Sequence, residues 1–192
     1  EGRACAYPGS AGGPPTTADW TGEGDQTAAV FGHSVGTAGD VNGDGYADVI
    51  VGAYAYDNGQ TDEGAAFCYH GSATGLGPNG NPANADWLAD SDQTDTPLFG
   101  SAVGTAGDVN GDGYADVVVG APQHDNVYQD EGRAFVYYGS SGGLSTTADW
   151  TATSGQEWAY LGFSAGTAGD VNGDGYADVV VGAYSYDNGQ AD

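Results

Sequence analysis

The stretch Asp40-Val-Asn42-Gly-Asp44-Gly-Tyr46-Ala-Asp48 places oxygen-bearing side chains at positions 1, 3, 5 and 9. Gly45 at position 6 permits a sharp turn, which lets the Tyr46 carbonyl at position 7 point inward. Calcium takes about six to eight oxygens at roughly 2.3–2.6 Å in a flexible shell, and this spacing supplies five protein ligands. Magnesium needs a tighter octahedron and keeps its waters. Zinc and copper favour His or Cys, which the stretch lacks. The same set returns as Asp108, Asn110, Asp112, Tyr114, Asp116 and as Asp170, Asn172, Asp174, Tyr176, Asp178. The plain alternative is a set of Asx turns, in which Asp and Asn cap their own backbone. Three copies, each restoring Asp at position 9, weigh against turns alone, because three crowded carboxylates repel one another without a cation. The expectation is one Ca2+ per copy, three per chain. An EF-hand would need a Glu at position 12, but Val51, Val119 and Val181 stand there, inside β-rich runs.

These loops sit in longer repeats that cover the chain. EGRACAYPGS at Glu1, EGAAFCYHGS at Glu63 and EGRAFVYYGS at Glu131 open units 1–62, 63–130 and 131–192. Unit two carries six extra residues, five of them in the loop around GLGPNGNPAN before Trp87. Each unit holds four strand-like pieces. In unit three these are GRAFVYYG, ADWTAT, LGFSAGTAG and ADVVVGA, separated by Gly, Asn and Asp clusters. The Val run reads as a strand buried on both faces. No stretch sustains a helical period. The predicted fold is all-β, a β-propeller of four-stranded antiparallel blades, with each metal loop at a hairpin between the third and fourth pieces.

These residues resemble the FG-GAP repeats of integrin α-subunit propellers. Phe31-Gly32 and Phe99-Gly100 match the first half of that pattern, and unit three departs with Leu161-Gly162. Gly120-Ala121-Pro122 matches the second half, whereas units one and three have Tyr54 and Tyr184 after Gly-Ala. The loop between the halves matches in all three units. The resemblance implies a propeller with calcium in the 1–2 hairpin of each blade, usually outside the cell. It also places the blade start at the FG strand. The chain then reads as strands 3–4, two full blades, and strands 1–2, with half-blades at both ends. Half-blades can join between copies, either as a twofold dimer closing a six-bladed ring or head to tail in a filament or array. The absence of an initiator Met predicts a processed product or a period taken from something longer.

The balance of 27 acids against Arg3 and Arg133 gives a net charge of −25. Phosphate backbones and anionic membranes are therefore poor partners, and cations are natural ones. No apolar run is long enough to insert in a membrane. His33, His70 and His124 occupy non-equivalent positions, and no nucleophile–base pairing follows from their spacing, so an enzyme is not expected. Trp20, Trp87 and Trp150 recur after Ala-Asp and are read as packing between blades. The second reading is a sugar-stacking platform, which would make the chain a carbohydrate-binding propeller lectin. Trp158 stands outside that pattern. Tyr54, Tyr56, Tyr184 and Tyr186 follow the buried strand and are available to a ligand or a neighbouring chain. Asp57-Asn58-Gly59 and Asp187-Asn188-Gly189 read as tight turns, and Asp125-Asn126-Val127 breaks the pattern. Cys5 and Cys68 fall at neighbouring repeat positions that point to opposite faces, so small buried thiols are expected rather than a bridge. No Asn-x-Ser/Thr sequon is present, and the Gly13–Thr17 turn is the candidate for O-linked sugar. The leading expectation is a non-enzymatic extracellular module for assembly or adhesion, whose partners are copies of itself, glycans or extracellular proteins.

Overall fold

Short runs of Val, Ala, Gly and aromatics, each stopped by Gly, Asn or Asp, form strands rather than helices because β-branched and aromatic side chains fit a pleated surface. The computed structural model describes residues 1–77 and 79–189. Pro78 of the long unit-two loop and the last three residues of unit three lie outside the described residues. The strands are β1 (Arg3–Ala6), β2 (Trp20–Glu23), β3 (Ser34–Gly39), β4 (Asp48–Ala53), β5 (Ala65–Tyr69) and β6 (Trp87–Asp90). They continue with β7 (Ala102–Gly107), β8 (Asp116–Ala121), β9 (Arg133–Tyr137), β10 (Trp150–Thr153), β11 (Leu161–Gly169) and β12 (Asp178–Ala183). No helix among the described residues is long and apolar enough to cross a membrane.

β3-β4-β5-β6 and β7-β8-β9-β10 are complete four-stranded antiparallel blades, and β1-β2 and β11-β12 are two-stranded half-blades. The first strands β3, β7 and β11 lie side by side, so successive sheets stack face against face. Alternation along each strand divides its side chains between the two neighbouring sheets. From the first blade, Val51, Ala53 and Phe67 pack back onto Ala4 and Trp20 of the half-blade β1-β2. Ile50, Ala66, Cys68 and Trp87 pack forward onto Val117, Val119, Phe135 and Tyr137. Two of the three tryptophans pack between blades as expected: Trp20 meets Tyr69 edge-on at 5.2 Å, and Trp87 meets Tyr137 at 4.9 Å. Trp150, at the same place on β10, is exposed, and β11-β12 carries no counterpart of Tyr137 among the described residues.

Two features depart from the sequence reading. Cys5 is exposed, whereas Cys68 is buried, and both thiols are free. Cys5 occupies the position of Phe67 and Phe135, whose side chains point at the preceding sheet, and no sheet among the described residues packs on that face of β1-β2. The Val run is buried in β4 and β8 but half-exposed in β12, for the matching reason at the other end. The long unit-two loop is tied to the neighbouring half-blade. Gly80 exchanges backbone hydrogen bonds with β2, donating to Thr21 O at 2.8 Å and accepting from Glu23 N at 2.9 Å, and so covers that strand's outer edge above Trp20.

Candidate metal centre

Each 1–2 hairpin is built the same way. Asp40 Oδ1 accepts from Gly43 N (2.7 Å) and Asp44 N (3.1 Å), and Oδ2 accepts from Gly45 N (2.8 Å). Asn42 Oδ1 accepts from Asp44 N, and Asp44 Oδ1 from Tyr46 N, both at 2.9 Å. The loop is thereby wound around its own side-chain oxygens. Its two successors repeat the pattern with Asp108, Asn110, Asp112 and with Asp170, Asn172, Asp174. The Asp170 carboxyl is held below the ordinary carboxylate range, first by the Gly175 amide and then by those of Gly173 and Asp174 against the opposing effect of desolvation.

Position 9 is different in kind. Asp48 is fully buried; Oδ2 accepts from Val41 N at 2.8 Å, and Oδ1 accepts from Gly71 N, beyond β5, at 2.8 Å. Asp116 makes the same two bonds to Val109 N and Gly139 N, both at 2.8 Å. Burial pushes both carboxyls above the ordinary range, and the paired amides only partly offset this. For Asp116 the charges of Asp112 and Asp108 push the same way, and a bound cation would reverse that repulsion. Asp178 keeps its bond from Val171 N at 2.8 Å.

The structure thus joins positions 1, 3 and 5 of each loop into one hydrogen-bonded turn and anchors position 9 beneath it. It does not bring one oxygen from each of three loop acids within 4.8 Å of one another. The described residues that do so are Glu1, Glu23, Asp25 and Glu63, Asp90, Asp92, at the opposite ends of their blades. Glu63 and Glu131 are structural acids that sequence reasoning missed. Glu63 Oε1 accepts from Asn58 N (2.7 Å) and Gln60 N (3.0 Å), so Asp57-Asn58-Gly59 is a bend gathered onto that carboxylate. The recurrence of Glu at the head of each unit was the available signal. The donor set of each hairpin loop, three carboxylates with an amide and a backbone carbonyl, is all hard oxygen and fits calcium. Asp40, Asn42, Asp44, Tyr46 and Asp48, with their counterparts, are the residues that would hold it.

The loops also touch. Ala115 N donates to Asp40 O (3.0 Å), Ser140 N to Val41 O (3.0 Å), and Ala177 N to Asp108 O (2.9 Å). The hairpins therefore form a continuous rim along one end of the stacked sheets. At the other end Tyr160 stacks on Tyr184 at 5.1 Å, Phe163 meets Tyr184 at 4.7 Å, and His33 meets Tyr54 at 4.6 Å, lining one open hollow.

Three comparisons of sequence agree with this architecture. The chain is 34% identical over 163 residues to integrin alpha-6 of Homo sapiens, a match covering 85% of this chain and 13% of that protein. It is 37% identical over 171 residues to integrin alpha-IIb of Mus musculus, covering 84% of this chain and 15% of the relative. Against integrin alpha-5 of Xenopus laevis it is 29% identical over 174 residues, covering 85% and 16%. The chain therefore spans only a small part of the length of these relatives. A family model described as FG-GAP repeat matches residues 31–67, 99–137 and 162–192, each match running through one candidate metal loop. With the repeats, the blades and the hairpins in agreement, the chain belongs to the FG-GAP repeat family.

Proposed function

We propose that this chain is a non-enzymatic, calcium-stabilised extracellular propeller module that works in structural assembly or adhesion. The observation that carries the reading is the triplicated hairpin, whose oxygen-rich turns keep one geometry in three sheets. Calcium fixes each hairpin, neutralises part of the −25 charge, and so lets acidic sheets stack. Three Ca2+ per chain is the proposed stoichiometry. Completion of blades between copies, as a filament, an array or a six-bladed dimer, is the proposed mode of assembly. The location outside the cell follows the resemblance to integrin α propellers.

The test is particle mass and shape in calcium against chelator, by light scattering and electron microscopy. Concentration-dependent growth that collapses on chelation is expected. A single-chain particle whose melting temperature ignores the chelator would overturn the reading.

A second reading, a carbohydrate-binding lectin, has one observation in its favour: the aromatic hollow of Tyr160, Phe163, Tyr184, His33 and Tyr54. Trp20 and Trp87 do not serve it, because both are buried between sheets. Glycan-array binding lost in Tyr184→Ala would establish it, and an array without signal would remove it.

A further inference from the structure

Six Asn-Gly pairs punctuate the chain, and asparagine is a thermolabile residue, most of all before glycine. The glycine nitrogen can attack the asparagine carboxamide because no β-carbon stands in its way. The attack requires that nitrogen to be free. In the three hairpin loops a carboxylate holds it. Gly43 N donates to Asp40 Oδ1 at 2.7 Å, and Gly111 N and Gly173 N donate to Asp108 Oδ1 and Asp170 Oδ1, both at 2.6 Å. Gly80 N is held by Thr21 O at 2.8 Å. Asn188-Gly189 adjoins residues outside the described ones.

Asn58-Gly59 differs. The Glu63 carboxylate takes the amide on either side, Asn58 N at 2.7 Å and Gln60 N at 3.0 Å. It passes over Gly59 N, which has no hydrogen-bond partner among the described residues. Both residues are exposed, and a β-carbon on Gly59 would meet nothing within 4 Å. Unit two closes the same bend in another way: Val127 stands in place of Gly59, and its amide donates to Glu131 Oε1 at 2.6 Å. Asn58 also clasps the β4–β5 turn to the end of β6, because its Nδ2 donates to Asp90 Oδ2 at 2.6 Å. The corner is acidic: one carboxylate oxygen from each of Glu63, Asp90 and Asp92 lies within 4.8 Å of the others.

We propose that Asn58 is a site of spontaneous deamidation selected by the fold, and that its conversion turns this clasp into a repulsive pair. The co-reactant is water. Gly59 N loses its proton and forms a bond to Asn58 Cγ; the Cγ–Nδ2 bond breaks, and ammonia leaves with that proton. Water then opens either C–N bond of the resulting cyclic imide, which leaves aspartate or isoaspartate at position 58. Nothing is oxidised or reduced. The new carboxylate has no N–H to offer Asp90 Oδ2, and it adds one more negative charge beside Glu63, Asp90 and Asp92. In the hairpin loops the glycine amide must first leave a carboxylate, and breaking a hydrogen bond to a charged group slows the attack by roughly tenfold or more. The reaction needs neither calcium nor a second copy, so its outcome is independent of the assembly reading.

The experiment ages the folded chain at mildly alkaline pH in calcium and reads aspartate and isoaspartate at each Asn-Gly by peptide mass spectrometry. Asn58 is expected to convert at least about tenfold faster than Asn42, Asn110 and Asn172, and faster than Asn79. In denaturant, where no amide is held, the rates should draw together. Equal rates at Asn58 and the loop asparagines in the folded chain would overturn the site. An equal lead for Asn58 in denaturant would overturn selection by the fold. Asn58→Asp reproduces the added charge. It is expected to melt below the parent at low ionic strength and to recover most of the difference in high salt, where exposed charges are screened. A melting temperature equal to the parent's at low ionic strength would overturn the repulsive pair.

Discussion

The ring of Tyr114 lies on Gly43, so near that a β-carbon at Gly43 would sit 2.5 Å from a ring carbon. Tyr176 stands over Gly111 in the same way, at 2.6 Å. The seventh residue of one candidate metal loop thus presses on the fourth residue of the loop before it, and the hairpins are mechanically linked along the rim.

That contact can be isolated from backbone strain. Gly43 and Gly173 share a left-handed φ, +75° and +76°, but Gly173 has nothing within 4 Å. Alanine at either position carries the cost of that φ, while alanine at position 43 also displaces the Tyr114 ring. Gly43→Ala is expected to lose about 1–2 kcal/mol more than Gly173→Ala in dilute, calcium-loaded protein, on the scale of overpacking. Equal losses in urea titrations would show that the ring contact carries no energy.

Each loop is expected to bind one Ca2+, and calorimetry should count three per chain. Asp112→Ala removes the proposed position-5 ligand of the middle loop and is expected to reduce the count to two. At calcium about 100-fold above its dissociation constant, one site contributes ~2.7 kcal/mol to folding. A corresponding fall in melting temperature should follow from that substitution and vanish in chelator. A stoichiometry unaffected by Asp112→Ala would remove that loop from the set of sites.

Acid should destabilise the second blade through His124. Burial, reinforced by Arg133, pushes this imidazole below its ordinary value of 6.5, against the opposing charges of Asp125 and Glu131. The folded state therefore prefers neutral His124. Its contribution is complete above pH 6.5 and is lost as pH falls from there through the lowered folded value. Tyr56 fills the equivalent place in unit one, so His124→Tyr is expected to flatten stability between neutral and mildly acidic pH. An unchanged pH slope in that variant would assign the acid sensitivity elsewhere.

Trp87 and Trp150 have one sequence context and two fates. Trp87 Nε1 donates to Ser145 O at 2.8 Å across the interface between blades. Trp87→Ala is expected to cost about 3–5 kcal/mol, the range for emptying a buried aromatic site. Trp150→Ala should cost the dilute chain under about 1 kcal/mol, because its ring is 43% exposed and meets no counterpart of Tyr137 among the described residues. The same change should weaken assembly at least tenfold, read from the concentration dependence of particle mass. Similar unfolding losses for both variants would contradict the exposure of Trp150.

The repeats, the strands and the candidate ligands were legible in the sequence because they depend on local rules. Gly45 sets the turn, Asp40, Asn42 and Asp44 bond their own loop, and the Val runs of β4 and β8 make strands wherever they are placed. Tertiary structure decided what those rules cannot reach. Spacing alone gave Asp48 the same role as Asp40, yet stacking buries Asp48 and ties it to Gly71, 23 residues away. Cys5 looked like a buried thiol because its strand matches β5, and it is exposed because burial in a blade is supplied by the neighbouring sheet. Gly80 folds over β2 through backbone bonds, which leave no mark in side-chain patterns. Local sequence fixes how each strand and hairpin is made, whereas which of their faces meet water depends on long-range neighbours that no single repeat contains.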